Sequence, residues 1–368
     1  MKEINYTIEN TNHKVFIENE IVNLLLRDII NLKSDRKILF IYDENIDTFI
    51  VKNYLDELKT TGCKIFTIKV KGGRDHKNKK FLFKIIDILS DKKFTKKSVI
   101  ISFGGGVIGD VCGLASALYM RGLIYFHIPS TMMAIMDSCL GGKNAINYNN
   151  RINLIGTYYH PLRIYISGKV IEKIPEKEFL SGFSEAIKCG LIHNKSILEL
   201  LKKKKKLIQN KDFKILKKII YLVLKTKLKF FIKDIKENNK RLYLNFGHTF
   251  AHAIESAGDK YIKNFNINHG EAVAIGILCE MKYANVSNRL TREIRDLFNS
   301  YNLPCKLELQ DKNKIVVFQQ EVFKNLYLDK KKQSRYPAYI HLLRQGKPVL
   351  RLLDNNNFIE KILFEFIN

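Results

Sequence analysis

The sequence predicts an α/β fold, with an N-terminal Rossmann-like domain built on a parallel sheet and a mainly α-helical C-terminal domain. Two observations carry this prediction. Apolar, β-branched runs alternate with helical spacing through the first half, as in a parallel sheet with helices on both faces. From about Pro175 onward, helical spacing dominates. Because 368 residues are long for one domain, we expect two, over 1–170 and 171–368.

The N-terminal elements follow from the positions of the apolar runs. Residues 14–22 predict a strand and a turn into a helix. Short apolar runs mark the further strands, and amphipathic stretches between them mark helices. The predicted strands are Lys37–Asp43, Lys64–Val70, Ser98–Phe103, Ile124–Ile128 and Arg163–Ile166, and the predicted helices are a stretch ending near Thr60, Lys79–Leu89 and Asp110–Tyr119.

The second half shows five stretches of helical spacing. One of them carries the run Lys202–Lys206. Such a run suits a membrane surface or an acidic partner, but we favour an ordinary solvated helix face. The five stretches are Glu178–His193, Ser196–Asp234, Thr249–Ala257, Gly270–Asn285 and Thr291–Asn299.

Composition indicates a globular protein of a reducing compartment. A hydrophobic content of 46% suffices for a large core, and an aromatic content of 11% argues against disorder. No apolar run is long enough to span a membrane, and the N-terminus lacks the apolar region of a signal peptide. The six cysteines are scattered, with no CxxC pair. We therefore expect a cytoplasmic protein with reduced thiols and no membrane partner.

The formal net charge of +26 has two interpretations. A strongly basic protein can bind nucleic acid. Here the basic residues are spread along the whole chain, and no nucleic-acid-binding motif accompanies them. We therefore attribute the charge to general use of Lys, expect no nucleic-acid partner, and note that the charge attracts anionic substrates.

A glycine-rich segment follows the third long apolar run. Gly104, Gly106 and Gly109 fit the pattern G-x-G-x-x-G, after a strand and before a predicted helix. Glycines allow close approach of a pyrophosphate, which the free N–H groups of a helix N-terminus attract. The alternative is a tight turn without a ligand. Further on, Lys143 follows two glycines, which suits a phosphate or carboxylate but equally an ordinary turn.

Three histidines lie in the stretch Leu244–Glu271. His248 and His252 are four residues apart and share one helix face, and His269 opens the next apolar run. Clustered imidazoles suit a metal such as zinc. The zinc-protease pattern needs a Glu directly after the first His, and Thr249 stands there, so peptide hydrolysis is excluded.

Glu185 and Lys188 are three residues apart on a predicted helix. This spacing alone favours an ordinary surface ion pair.

Taken together, eight segments resemble the 3-dehydroquinate synthases of the sugar-phosphate cyclase superfamily. The segments are GGGVIGD (104–110), YMRG (119–122), DSCLGGK (137–143), NLIG (153–156), SGFSEAIK (181–188), NFGHTFAHAIE (245–255), HGEAVAIG (269–276) and DKK (329–331).

The resemblance implies a reaction. The family converts DAHP (3-deoxy-D-arabino-heptulosonate 7-phosphate) to 3-dehydroquinate and phosphate in the shikimate pathway of aromatic amino acid biosynthesis. Bound NAD oxidises a ring alcohol, phosphate is eliminated, and NADH returns the hydride before ring opening and an intramolecular aldol step. The chain would then be a carbon–oxygen lyase that depends on NAD and a divalent metal.

The resemblance also implies residue roles. Glu185, His248 and His269 would bind one zinc or cobalt ion, and His252 would transfer protons beside it. Arg121 would reach the substrate of the partner subunit in a homodimer, and Asp137 and Glu237 would orient catalytic groups. The residues that would bind the substrate within the subunit are Lys143, Asn153, Lys188, Lys227, Arg241, Asn245 and one of Lys330 and Lys331, with Lys143 and Lys188 also catalytic.

On the cofactor side the resemblance is less complete. The family has Glu at the position of Arg74, Lys at Ile152, Thr at Lys173 and Thr-Thr at Ser130-Thr131. We therefore hypothesise weaker NAD binding with intact chemistry, or a contact of Arg74 or Lys173 with the cofactor phosphate. The implied NAD-binding residues are Asp43, Lys77, Gly104, Gly105, Gly106, Val107, Ile108, Gly109, Asp110, Ser130, Thr131 and Lys143.

Three alternatives stay open at this point. Another sugar-phosphate cyclase would share the metal site and differ in substrate. A metal- and NAD-dependent polyol dehydrogenase would not need the phosphate-binding lysines. A basic binding protein without catalysis would not need the metal ligands.

Overall fold

The computed structural model describes residues 2–32, 37–149, 151–262, 265, 267–328 and 336–368. It comprises two compact units. The first unit consists of Met1–Phe179 and Lys211–Leu228, and the second of Leu180–Asn210 and Lys229–Asn368. The predicted fold class is confirmed, because the N-terminal part carries a parallel-dominated sheet and the C-terminal region is mostly helical.

The first unit is built on a seven-stranded sheet in the order β1-β2-β9-β6-β5-β3-β4. β1 pairs antiparallel with β2, and all other neighbours are parallel. The edge strand β1 was not indicated by an apolar run, because only one of its faces is buried. The strands are β1 (Lys2–Ile8), β2 (Thr11–Glu18), β3 (Lys37–Asp43), β4 (Lys64–Val70), β5 (Val99–Gly104), β6 (Ile124–Pro129) and β9 (Arg163–Ser167).

Both faces of this sheet are covered. Leu39 and Ile41 of β3 point into one hydrophobic core, and Ile38 and Phe40 point into the other. Burial on both faces explains why β3 reads as a continuous apolar run. The helices that lie wholly or mostly in this unit are α1 (Val22–Asn31), α2 (Thr48–Thr60), α3 (Lys79–Asp91), α4 (Gly106–Leu118), α5 (Gly168–Glu172), α6 (Glu176–Ser181) and α10 (Phe213–Phe231).

Helix α4 begins at Gly106, four residues before its predicted start at Asp110. The N–H group of Gly109 donates to Gly105 O at 3.0 Å, so the glycine segment itself forms the first turn. The expectation that the glycines precede the helix was therefore wrong in part. Gly104 ends β5, Gly105 is the N-cap, and the other two glycines are helical.

A hairpin occupies a region for which no strand was predicted. β7 (Lys143–Tyr148) pairs antiparallel with β8 (Arg151–Tyr158) in a separate two-stranded sheet. Asn144 ties the two ends of this hairpin together, since its Nδ2 donates to Gly142 O at 2.9 Å and to Tyr159 O at 2.7 Å. A short π-helical turn, Ala134–Ser138, precedes the hairpin.

The second unit is mainly helical. The predicted stretch Ser196–Asp234 is broken into three helices, because the chain leaves helical geometry at Lys204 and before Phe213. Lys202–Lys206 is mostly exposed, as predicted for a solvated face. The unit contains α7 (Phe183–Ile192), α8 (Lys195–Lys203), α9 (Lys205–Gln209), α11 (His248–Tyr261), α12 (His269–Tyr283), α13 (Asn288–Ser300), α14 (Ile315–Tyr327), α15 (Asn356–Phe366) and the hairpin β10 (Ala338–Arg344) and β11 (Lys347–Leu352).

Among the described residues, no helix is both long enough and apolar enough to cross a membrane.

Candidate active site

Three potential metal ligands meet in the second unit. Glu185 lies in α7, His248 is the first residue of α11, and His269 is the first residue of α12. One ligand atom from each lies within 4.8 Å of those of the other two. His248 Nε2 is 3.6 Å from Glu185 Oε1. The three residues implied as ligands by the family resemblance therefore converge in space.

The start of α12 fixes His269. Asn268 and Glu271 form a capping box, in which Glu271 N donates to Asn268 Oδ1 at 2.9 Å and Asn268 N donates to Glu271 Oε2 at 2.8 Å. Gly270 allows this turn to approach the segment before α7. A Cβ atom on Gly270 would lie 2.2 Å from Ser181 O, which is too close for any other residue.

Hydrogen bonds orient both imidazole rings. His248 Nδ1 is 3.3 Å from Phe246 O, and His269 Nδ1 is 3.1 Å from Glu255 Oε2. If each Nδ1 carries the proton, each Nε2 is left with the lone pair that a metal needs. Glu255 was not predicted from the sequence. Its position three residues after His252 and seven after His248, on the same helix face, is the signal that could have found it.

The ligand set fits a divalent metal. Two imidazoles and one carboxylate are the donors that zinc and cobalt accept, and Glu185 is completely buried. The ammonium group of Lys188 contacts the Glu185 carboxylate. Both side chains are buried, so the surface ion pair favoured by their spacing was wrong. Spacing places the two residues on one helix face but does not reveal what packs over that face.

His252 lies beside the ligand set. Its ring centroid is 5.4 Å from that of His248 and 6.0 Å from that of His269. The side chain is exposed, unlike that of His248. His252, Glu255 and His269 form a second group of potential ligands that shares His269 with the first. In that group the Glu255 carboxylate is already within hydrogen-bond distance of His269 Nδ1.

The segment before α11 contains three further predicted residues. Arg241 is buried, its Nη1 donates to Ile235 O at 2.6 Å, and its guanidinium lies over the ring of Phe231. Asn245 Nδ2 donates to Glu237 Oε1 at 2.7 Å. The Glu237 carboxylate therefore holds the Asn245 amide in place.

In the first unit, the glycine segment brings several predicted NAD-binding residues together. Ser130 N donates to Gly104 O at 3.0 Å. A Cβ atom on Gly105 would lie 3.1 Å from the Thr131 methyl group. Lys77 Nζ is 2.6 Å from Asp110 Oδ2. Burial raises the pKa of Asp110, and Lys77 acts against that rise.

Asp43 ends β3, on the same sheet as the glycine segment. Its Oδ1 accepts a hydrogen bond from Asn45 N at 3.0 Å and from Gly72 N at 3.2 Å. A Cβ atom on Gly72 would lie 2.4 Å from Asp43 Oδ2, so the loop after β4 passes directly over this carboxylate.

The predicted anion-binding residues of the first unit fall into two groups. Lys227 is buried, and its Nζ donates to Asp137 Oδ1 at 2.6 Å. Lys143, Asn153 and Arg121 are exposed. Arg121 has φ 62° and follows Met120 at φ 51°, so two consecutive residues other than glycine adopt left-handed geometry. Such strain persists only where the surroundings impose it, and it is frequent at functional sites.

Lys330 and Lys331 lie outside the described residues, as does the side chain of Arg74.

Comparison with known proteins identifies the family. The protein-family model of the 3-dehydroquinate synthase N-terminal domain matches residues 67–181. The family model of the 3-dehydroquinate synthase C-terminal domain matches residues 182–332. The chain belongs to the 3-dehydroquinate synthase family. A 3-dehydroquinate synthase from Prochlorococcus marinus subsp. pastoris is 33% identical over 92% of this chain and 93% of its own. One from Dictyoglomus thermophilum is 39% identical over 75% of each chain.

Solved structures share the fold. A 2-deoxy-scyllo-inosose synthase with bound carbaglucose-6-phosphate, NAD+ and Co2+ has a TM-score of 0.82 at 21% identity, covering 99% of this chain and 100% of its own. A 2-epi-5-epi-valiolone synthase from Streptomyces hygroscopicus subsp. jinggangensis, with NAD+ and Zn2+, has a TM-score of 0.85 at 18% identity and covers 98% of both chains. At these identities the likeness concerns the fold alone.

The family assignment confirms the resemblance drawn from the eight segments. It also confirms the predicted lyase activity, 3-dehydroquinate synthesis, because the relatives similar over most of the chain carry that name. Another cyclase activity is not favoured, since these two solved cyclases with other names are only 21% and 18% identical to this chain.

Proposed function

We propose that this member of the 3-dehydroquinate synthase family converts DAHP to 3-dehydroquinate and phosphate with one bound NAD and one divalent metal. The observation that carries the proposal is the convergence of Glu185, His248 and His269 within 4.8 Å. NAD+ with Co2+ or Zn2+ in the two solved cyclases supports both cofactors. We assign NAD to the domain over 1–170, and the metal and most substrate contacts to the domain over 171–368.

Glu185, His248 and His269 would hold the metal through one carboxylate oxygen and two Nε2 atoms. This set is preferred over His252, Glu255 and His269 because Glu255 serves to orient His269. When bound, the metal would polarise substrate oxygens, and NAD would accept a hydride and later return it. His252, which is exposed beside the ligands, is then available to transfer a proton at its ring nitrogen.

Cationic side chains would hold the anionic groups of the substrate. In the second unit these are Lys188 and Arg241, with Asn245 as a further donor, and Glu237 fixes the Asn245 amide. In the first unit they are Lys143 and Lys227, with Asn153 as a further donor, and Asp137 fixes the Lys227 ammonium. Arg241 and Lys227 are buried, and their hydrogen bonds to Ile235 and Asp137 limit their motion, so these two residues are preorganised for binding.

For NAD, the N-terminus of α4 supplies N–H groups to the pyrophosphate, and Asp43 supplies a carboxylate at the end of β3. Lys77 forms an ion pair with Asp110, which lies within this helix. Arg74 replaces the acid that the family has in the loop after β4. An arginine at this position cannot accept a hydrogen bond from the ribose of NAD, whereas a carboxylate can. We therefore propose that NAD binds more weakly to this protein than to relatives that have the acid.

We further propose a homodimer. Strand β8 belongs to a two-stranded sheet, and its side chains Ile152, Leu154 and Ile155 are exposed and apolar. The end of β8 adjoins the strained turn of Arg121, since a Cβ atom on Gly122 would lie 3.3 Å from the Tyr159 hydroxyl. An apolar surface beside an exposed Arg suits an interface at which Arg121 serves the site of the second subunit.

The structure joins none of the six cysteines, all of which are described, in a disulfide. Reduced thiols support a cytoplasmic location.

The decisive assay is release of phosphate from DAHP by the purified protein. We expect release that stops after removal of metal with a chelator, returns with Zn2+ or Co2+, and increases with added NAD. Glucose 6-phosphate and sedoheptulose 7-phosphate serve as control substrates, because other sugar-phosphate cyclases accept such phosphates. Phosphate release from either control, with none from DAHP, would refute the proposed substrate. Full activity in metal-depleted protein would refute the metal site.

A further inference from the structure

A second group of potential metal ligands adjoins the proposed metal site. It consists of His252, Glu255 and His269, and one ligand atom from each lies within 4.8 Å of those of the other two. Two imidazoles and one carboxylate are the same kinds of donor as in the proposed site. Within the described parts of the chain, no other three His, Cys, Asp or Glu side chains outside these two groups come together in this way.

Helix α11 makes this second group accessible to an ion in solution. His252 and Glu255 are three residues apart on α11 and therefore share one face of the helix. The His252 side chain is exposed, whereas His248 of the proposed site is buried. An ion from the solvent can therefore reach His252, and an exposed side chain can turn toward the ion. Glu255 is buried, which strengthens the attraction of its carboxylate for a cation.

His269 belongs to both groups but offers a different ring nitrogen to each. In the proposed metal site, His269 Nε2 holds the ion. His269 Nδ1 lies 3.1 Å from Glu255 Oε2, so this nitrogen faces the second group. The rings of His252 and His269 have centroids 6.0 Å apart and an angle of 24° between their planes. A second ion would take the place of the proton between His269 Nδ1 and Glu255, with His252 as its third ligand.

We propose that His252, Glu255 and His269 form a second, weaker site for Zn2+ or Co2+, and that an ion bound there inhibits the enzyme. The inhibition rests on the proposed function, in which His252 transfers a proton, because the second ion occupies the nitrogen that this transfer needs. The proton of His269 Nδ1 leaves to the solvent, and the ring then bridges two ions. The second ion must replace the hydrogen bond between Glu255 and His269 and lies near another dication, so it binds at least about tenfold more weakly than the first.

The test is titration of the metal-free protein with Co2+, followed by calorimetry and by the visible absorption of the bound ion. We expect two binding events per subunit, with phosphate release from DAHP appearing with the first event and falling with the second. His252→Ala changes an exposed side chain and should keep the first event while weakening the second at least about tenfold. A single event in the wild type, a second event unchanged in His252→Ala, or full turnover after the second event overturns the inference. Absence of any binding event overturns the proposed metal site itself.

Glu255→Gln separates the two sites. The amide oxygen of glutamine can still accept a hydrogen bond from His269 Nδ1, but an uncharged amide is a much weaker metal ligand than a carboxylate. We expect the first Co2+ affinity to stay within about threefold of the wild type and the second event to disappear.

His193→Ala is the matched control. His193 lies in the same unit at the end of α7, and its Nε2 is 3.1 Å from Lys229 Nζ, an ammonium group that opposes cation binding. Both binding events should match the wild type. A second event that persists in Glu255→Gln, or that disappears in His193→Ala, overturns the assignment of the second site.

Discussion

Lys188 contacts Glu185 in an ion pair whose two side chains are only 1% and 0% exposed. A buried carboxylate without a counter-charge is costly, so each of these residues depends on the other. The same carboxylate is a proposed metal ligand. We therefore expect Lys188, a proposed substrate-binding residue, also to stabilise Glu185 when no metal is present.

We predict that Lys188→Met destabilises the metal-free protein by about 3 kcal/mol, because the buried carboxylate loses its counter-charge. Zn2+ should reduce this penalty, since the ion supplies positive charge to Glu185. Urea unfolding with chelator and with Zn2+ measures both values. Lys202→Met is the control, because Lys202 pairs with Glu293 at the surface and should contribute less than about 1 kcal/mol. An equal penalty with and without Zn2+ would contradict the prediction.

Mutations of His248 and His252 should differ in their effects on metal content and turnover. His248→Ala removes a ligand and should abolish metal content and turnover together. His252→Ala removes a proton-transfer group and should keep the metal while turnover falls about 10²-fold or more. Metal analysis and phosphate release on the same preparations test both. Loss of metal from the His252 variant would show that the ligand assignment is wrong.

His127 should give the first unit a pH-dependent stability. Burial lowers its pKa from the usual 6.5 to about 4, against a smaller opposite effect of its contact with Ser102. Between these two values the unfolded chain binds the proton and the folded protein does not. The contribution of His127 to the free energy of unfolding is therefore fully present above pH 6.5. It is lost as the pH falls toward 4, by up to about 3 kcal/mol.

The His127→Gln variant tests this contribution, because glutamine does not titrate. The difference in free energy of unfolding between wild type and variant should change across pH 6.5 to 4, with the wild type losing stability faster. All other groups titrate in both proteins, so the comparison isolates His127. A difference that stays constant over this range is the contrary result.

A shared site predicts complementation between subunits. Arg121→Ala and His248→Ala should each be inactive alone, because one lacks the substrate contact of the neighbour and the other lacks the metal. Each mixed dimer would contain one functional site out of two, and random remixing makes about half of the dimers mixed. About a quarter of wild-type activity should therefore return on remixing. Differently tagged subunits and tandem purification provide the mixed dimer. No recovery in a purified mixed dimer would count against the shared site.

Much of the sheet was predictable from the sequence. β3 and β4 begin and end where they were predicted to. β3 is apolar almost throughout because both of its faces are buried, whereas β4 is an edge strand with exposed residues at Thr67 and Lys69. β1 and the β7–β8 hairpin were not predicted. Strand β8 is exposed along its whole length, so the apolar run that marks a buried strand is not required in it.

The sequence by itself determined the fold class and the glycine segment, which follow from local periodicity and composition. Its resemblance to the 3-dehydroquinate synthases implied the residues that converge as potential metal ligands. The tertiary structure alone decided that Glu185 and Lys188 are buried and that Glu255 orients His269. Burial and hydrogen-bond partners depend on residues distant in the chain, and spacing within one helix cannot specify what packs against it.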